Sequence, residues 1–200
     1  MGDYELYAWA KGNALAPLLF LEESKTAYHL IPSNPESRLV AKELKKLNPW
    51  GDVPALIDRR PGKDNVSVFG SAAILCYLGF ETRKLIPQAP ALYASTLQWI
   101  FWQERDLHAN IQLYDATKDN KIKVKCTQNL KQAFKKIDTW LKNRPYISEE
   151  FSIADIAIFF TIRNPEHYGI LISEYKNIRN WMSRINNRAA TKKALGVSFY

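Results

Sequence analysis

One stretch constrains this chain more than any other: Asn48-Pro49-Trp50-Gly51-Asp52-Val53-Pro54-Ala55-Leu56. Asn-Pro and Trp-Gly mark a turn after a helix. Val53-Pro54 then meets the apolar run Ala55-Leu56-Ile57. A proline has no N–H and cannot extend a sheet ladder at its own position, so a strand begins behind it. A proline at the mouth of a strand is also one of the places where a cis peptide bond has a use. Two readings stand side by side. In one, Val53-Pro54 is an ordinary strand start. In the other, a cis bend leaves the N–H and C=O of Val53 facing out of the sheet, where they can pair with an extended peptide as an added strand would.

The segments on either side supply a framework. Tyr4–Trp9 alternates and is rich in aromatics, which predicts a strand. Leu15, Leu18, Leu19 and Leu21 recur at helical spacing, and Pro17 is tolerated only in a first turn, so a helix starts close behind Asn13. Ala27–Ile31 is a second strand, and Val40, Leu44 and Leu47 make a short helix. Ala55–Asp58 and Asn65–Phe69 are two strands whose connection is too short for a crossover, so they form a hairpin. Ser71, or Gly70 before it, then caps a helix carrying Ile74, Leu75 and Leu78. The order β-α-β-α-β-β-α within residues 1–80 predicts a small mixed sheet with helices on its faces.

Residues 81–90, with Pro87 and Pro90, read as a linker, and residues 91–200 show no strand pattern. A long helix is expected from Ala91 to about Tyr114, and another from about Lys121 to Lys142, with Leu130, Phe134, Ile137 and Leu141 on one face. Ser152-Ile153-Ala154-Asp155 is a capping signature with Asp in place of Glu, and Phe151 and Ile156 fit the hydrophobic staple beside it. The helix behind it is apolar almost all round and is expected at the centre of the second domain. Tyr175–Asn187 and a short segment from Ala190 complete an all-helical half.

The formal charge of +8 is unevenly placed. Residues 1–80 carry 9 Lys/Arg and 9 Asp/Glu, whereas residues 81–200 carry 19 and 11. Segment 118–144 alone holds nine basic residues, which points to two units with different surfaces. No apolar run approaches a membrane span, and the acidic start lacks a signal-peptide pattern. Cys76 and Cys126 make no CxxC or metal spacing. A cytoplasmic, reduced protein without a metal is the simplest reading.

Four motifs in order resemble the cytosolic glutathione transferases: the 47–56 loop with its Val-Pro, Phe69-Gly70-Ser71-Ala72-Ala73-Ile74-Leu75-Cys76-Tyr77-Leu78, the 151–155 capping box, and 177–190 near the C-terminus. The resemblance covers nearly the whole chain. It implies a thioredoxin-like domain over 1–80 and an all-helical domain over 91–200. It further implies a glutathione-binding set of Tyr7, Val53, Pro54, Gly70 and Ser71, in which the Val53 backbone pairs with the glutathione cysteine and Ser71, with the helix N-terminus behind it, holds the γ-glutamyl carboxylate. The family's thiol-activating residue lies after the first strand. Asn13 resembles the asparagine used there by some bacterial and fungal classes, and a beta-class alignment brings in Tyr7. An amide N–H aimed at sulfur stabilises thiolate and lowers a thiol pKa that is otherwise near ~8.5. The family places a second substrate between its domains, where Trp9, Trp102 and His108 are the candidates. The chain departs from the family at Gly70, where a glutamate is usual.

The implied activity is a glutathione-dependent transferase or thiol–disulfide/peroxide reductase acting on small electrophiles, with glutathione as co-substrate and no metal. A homodimer is implied; a membrane or nucleic-acid partner is not. The alternative is a non-catalytic protein-binding module of the stringent-starvation or translation-associated kind, which Gly70 and the basic segment favour.

Overall fold

A computed structural model describes residues 3–10, 12–63 and 66–199 of the chain. It has two compact units, one made of residues 1–85 with 188–200 and one of residues 86–187.

The first unit is built on four strands in the order β2-β1-β3-β4. β1 (Tyr4–Ala8) buries alternate residues Tyr4, Leu6 and Ala8, as the period of a strand requires. It runs parallel to β2 (Tyr28–Pro32), so a crossover must join them, and α1 (Ala16–Ser24) supplies it. β3 (Ala55–Asp58) lies between β1 and β4 and is buried at every position. β4 (Ser67–Phe69) pairs antiparallel with β3, which is the expected hairpin. Asn65, expected to open that strand, lies outside the described residues. α2 (Arg38–Leu44) is the short helix foreseen after β2. The helix expected behind Asn13 is preceded by a 3-10 turn, Gly12–Leu15, and Pro17 sits in the first turn of α1. α3 (Ser71–Thr82) follows β4.

In the second unit, the expected long helix is divided. α4 (Pro90–Trp102) and α5 (Ala109–Ala116) are joined by a π-helical turn, Gln103–His108. Gln103 is buried there and donates to Thr161 Oγ1 at 3.0 Å. α6 (Asn120–Trp140) buries Cys126, Leu130, Ala133, Phe134 and Ile137, which leaves most of its lysines on the opposite face. α7 (Ile153–Thr161) is buried at all nine positions. Its capping box is complete: Ser152 Oγ accepts from Ala154 N–H, and Asp155 accepts from Ser152 N–H. Asp138 of α6 takes the backbone N–H groups of Asn177 and Ile178 at 2.8 and 3.0 Å, capping α8 (Lys176–Asn186).

The boundary differs from expectation at the C-terminus. Residues 188–199 were placed by sequence with the helical half, but α9 (Ala189–Leu195) packs on α1. Thr191 and Ala194 are buried there, Arg188 clasps Glu23 and Lys193 reaches Glu22.

Candidate functional site

Sheet register alone gathers most of the expected site. Tyr7 of β1 stands opposite Ala55 of β3, and Ala55 stands opposite Phe69 of β4. β1 therefore ends, β3 begins and β4 ends at one edge of the sheet. The segment leading to Asn13, the pair Val53-Pro54 and the pair Gly70-Ser71 all leave from that edge. Gly70 N–H donates to the Pro54 carbonyl at 3.1 Å, which joins two of them directly.

The Val53–Pro54 bond is cis. The ladders to β1 and β4 end at Ala55, so neither β1 nor β4 pairs with Val53. Its N–H donates instead to its own neighbour, Asp52 Oδ1, at 2.8 Å on an exposed stretch. The loop before it is organised by a residue that sequence reasoning treated only as a turn marker. Asn48 is 4% exposed. Its Oδ1 accepts from the N–H groups of Trp50 and Gly51 at 3.1 and 2.8 Å, and its Nδ2 donates to the Asp52 carbonyl at 2.9 Å. With the Asp52 N–H also donating to the Asn48 Oδ1 at 3.4 Å, this buried amide bonds four main-chain groups and holds the loop as a turn of fixed shape. Gly51 completes it: its φ is +66°, and a Cβ there would lie 2.7 Å from the Ala41 carbonyl oxygen. The signal in the sequence was Asn-Pro followed two residues later by glycine.

Of the two caps left open for α3, the structure selects Gly70. It flanks the helix with φ +82° and ψ 131°, a conformation that favours glycine, and Ser71 is the first helical residue. As a glycine, the N-cap residue offers this end no side-chain bond. The first-turn N–H groups and the positive end of a twelve-residue helix that begins with Ser71 are a suitable seat for a carboxylate. Glycine takes this positive φ without strain, whereas a side chain at position 70 would be strained there.

Asn13 is half-buried in the 3-10 turn that runs into α1, whose N-terminus has no side-chain cap. A thiolate near the Asn13 amide would sit in the field of that helix end. Tyr7 has a different setting. Its hydroxyl donates to Glu5 Oε2 at 3.4 Å, and Glu5 is gripped by Arg59 at 2.8 Å. Burial, then the Glu5 charge, raises the Tyr7 pKa, so the phenol stays protonated.

The residues expected around a second substrate divide between the units. Trp9 lies in the first, edge-to-face against Phe199 with ring centroids 5.5 Å apart. Trp102 lies in the second, edge-to-face with Trp99 at 5.2 Å, on a cavity of about 630 Å³ that Gln98, Phe101, Arg105 and Lys136 also line. His108 does not line that cavity; its Nδ1 is 2.8 Å from Glu104 Oε2. Cys76 is partly buried on α3 and its thiol pKa is raised by burial, while Cys126 is buried at 1% exposure despite its neighbouring lysines. Among the described residues no cluster of His, Cys, Asp and Glu is arranged to hold a metal, and no helix is long and apolar enough to cross a membrane.

Comparison with known proteins identifies the family. Residues 2–79 match the glutathione S-transferase N-terminal domain, and residues 89–189 match the C-terminal domain. The disulfide-bond oxidoreductase YfcG of Escherichia coli K12 is 32% identical, covering 96% of this chain and 94% of that protein. A stringent starvation protein A homologue of Pasteurella multocida is 28% identical, over 90% of this chain and 84% of the relative. The crystal structure of a glutathione transferase from Pseudomonas putida, with one glutathione disulfide bound per subunit, superposes with a TM-score of 0.86 at 26% identity, covering 98% of this chain and 92% of that one. With both domains matched across the chain, this protein belongs to the glutathione S-transferase family.

Proposed function

We propose that this protein is a glutathione-dependent transferase or thiol–disulfide/peroxide reductase acting on small electrophiles. The observation that carries the reading is the shared sheet edge from which the Asn13 segment, Val53-Pro54 and Gly70-Ser71 depart. Relatives support it: one is a disulfide-bond oxidoreductase, and a structural neighbour holds glutathione disulfide.

In this reading the γ-glutamyl carboxylate of glutathione sits on the N-terminus of α3 with Ser71, beside Gly70. The cysteine main chain pairs with Val53, next to Pro54. The ligand takes the Val53 N–H in place of Asp52. Tyr7 lies one row inside that edge with its hydroxyl held by Glu5. Asn13 is the catalytic residue: its amide N–H and the start of α1 favour thiolate over thiol. The thiolate displaces the leaving group of an electrophilic carbon, breaks the O–O bond of a peroxide to release an alkoxide and become a sulfenic acid, or attacks one sulfur of a disulfide. With a disulfide, a new S–S bond forms as the old one breaks, and the departing sulfur leaves as a thiolate. Trp9, Trp102 and His108 are proposed as contacts of the second substrate.

A homodimer is part of the proposal. Exposed aromatics support it: Trp50 at 71%, Phe69 at 40% and Phe101 at 68% exposure. A cytoplasmic setting accords with two cysteines that are free thiols.

Calorimetric titration with glutathione tests the reading. Saturable binding is expected, weakened by Ser71→Ala, with turnover of a mixed disulfide lost in Asn13→Ala. Absence of binding, or full activity in both variants, refutes it. A second reading, a non-catalytic protein-binding module, is favoured by the 28% identity to the stringent starvation protein A homologue and by glycine at position 70. It requires a folded chain that the titration finds inert.

A further inference from the structure

We propose that the exposed face of α6 is a docking surface for a nucleic-acid duplex, held by its phosphates on a row of lysines and without regard to base sequence. This face lies on α6 alone and owes nothing to the glutathione reading.

The charge of the chain is concentrated in this helix. Segment 118–144 holds nine basic residues against Asp119 and Asp138, a net +7 of the chain's +8. Lys121, Lys125, Lys131, Lys135 and Lys136 of α6 are all exposed. At ~100° per residue they fall within an arc of about 140°, opposite the buried stripe that runs through Leu130 and Ile137.

Neither acid of the segment answers these lysines. Asp119 caps α6 and accepts from the Lys121 main-chain N–H at 2.7 Å. Asp138 is taken up by the N–H groups of Asn177 and Ile178 at the start of α8. The ion pairs of the second unit lie elsewhere, at Arg105–Asp106, His108–Glu104 and His167–Asp115. Among the described residues none of the five ammonium groups has an ion pair. Lys123 differs, with its ammonium over the Tyr114 ring at 4.9 Å. Lys121 with Lys125, and Lys131 with Lys135, are like charges four residues apart, which weaken a helix. A polyanion laid along the face removes that repulsion.

The chemistry of the face selects the polyanion. Its charges are lysines, point charges that suit phosphate and read no base. A single strand is gripped by stacking its bases on aromatic rings. On α6, Phe134 is buried and Trp140 is covered by the Arg144 guanidinium at 3.9 Å. A helix lying on a membrane sinks its apolar side among the lipids. The apolar side of α6 is in the core, and Val124 is the one large apolar side chain on the lysine arc. Interfaces between proteins are depleted in lysine. A duplex needs only a rigid line of cations. It offers one phosphate charge per ~1.7 Å of its axis, and the five lysines span about 22 Å of helix.

Fluorescence anisotropy tests this with the full-length protein, without glutathione, on a labelled DNA duplex of arbitrary sequence. Five phosphate contacts set the slope of log affinity against log salt at about −4 to −5, a loss of about 10²–10³-fold between about 50 and about 200 mM salt. An RNA duplex is expected to bind as well, since the face meets phosphates. Lys131→Gln with Lys135→Gln should make the slope shallower by about two and weaken binding alike for unrelated sequences. Lys131→Arg with Lys135→Arg should keep the slope. Lys42→Gln with Lys45→Gln on α2 removes the same charge from the other unit and should leave the slope unchanged. Absence of binding at ~50 mM salt, or equal losses in the two glutamine variants, overturns the proposal. Tighter binding to the single strand of the same length also overturns it. So does capture by phosphatidylserine vesicles of a protein that ignores the duplex.

Discussion

Asp155 offers a stability prediction whose sign is opposite to that of most carboxylates. It is fully buried and accepts four hydrogen bonds: from Ile147 N–H at 2.8 Å, Trp181 Nε1 at 2.8 Å, Ser152 N–H at 3.1 Å and Ser152 Oγ at 3.2 Å. Burial nonetheless outweighs these bonds and raises its pKa from 3.8 to about 6. A raised folded-state value means that folding favours the protonated acid. The contribution is fully present below the unfolded value of 3.8 and is lost as the pH climbs through about 6. At ~1.36 kcal/mol per unit the gap is worth about 3 kcal/mol in total, of which about 1 kcal/mol falls between about pH 5 and about pH 7. Asp155→Asn removes the titration and turns an amide NH₂ towards at least one of the four donors, at a cost of about 1–3 kcal/mol. Urea unfolding followed by circular dichroism should find the wild type ahead of Asp155→Asn at both pH values, by about 1 kcal/mol more at the lower one. Glu5, Asp58 and Glu81, whose pKa values are lowered, weaken in acid equally in both proteins and cancel in the difference. A gap that is flat with pH, or that widens towards neutrality, refutes the reasoning.

Two further outcomes concern the docking edge. Asn48→Ala leaves the Trp50 N–H and the Asp52 carbonyl without their side-chain partner and the Gly51 N–H with only the Asn48 main-chain carbonyl, which should cost about 2–3 kcal/mol of stability and weaken glutathione binding at least about tenfold. Calorimetry that finds wild-type affinity would detach the loop from the site. Asp52→Ala frees the Val53 N–H and removes a negative charge beside an anionic ligand, so glutathione should bind about two- to fivefold tighter. Weaker binding would mean that Asp52 itself serves the ligand.

Much of this was written locally. The alternation of β1, the bounds of β3, the Ser152–Asp155 capping box and the buried α7 each depend on residues a few positions apart, and each stands in the structure where its pattern put it. The π-helical turn at Gln103–His108 was not legible, because its cause includes the partner that Gln103 finds in Thr161, far along the chain. The start of α3 was ambiguous between two residues until backbone dihedrals separated them.

The sequence by itself determined that a mixed sheet comes first, that helices follow and that a proline opens the third strand, since periodicity and proline act over one or two turns of chain. Tertiary structure alone decided that Glu5, which holds Tyr7, would itself be gripped by Arg59, and that the last helix would return to the first. Those outcomes depend on which surfaces meet after the chain folds back. An apolar face on α9 specifies burial, but not which helix it is buried against.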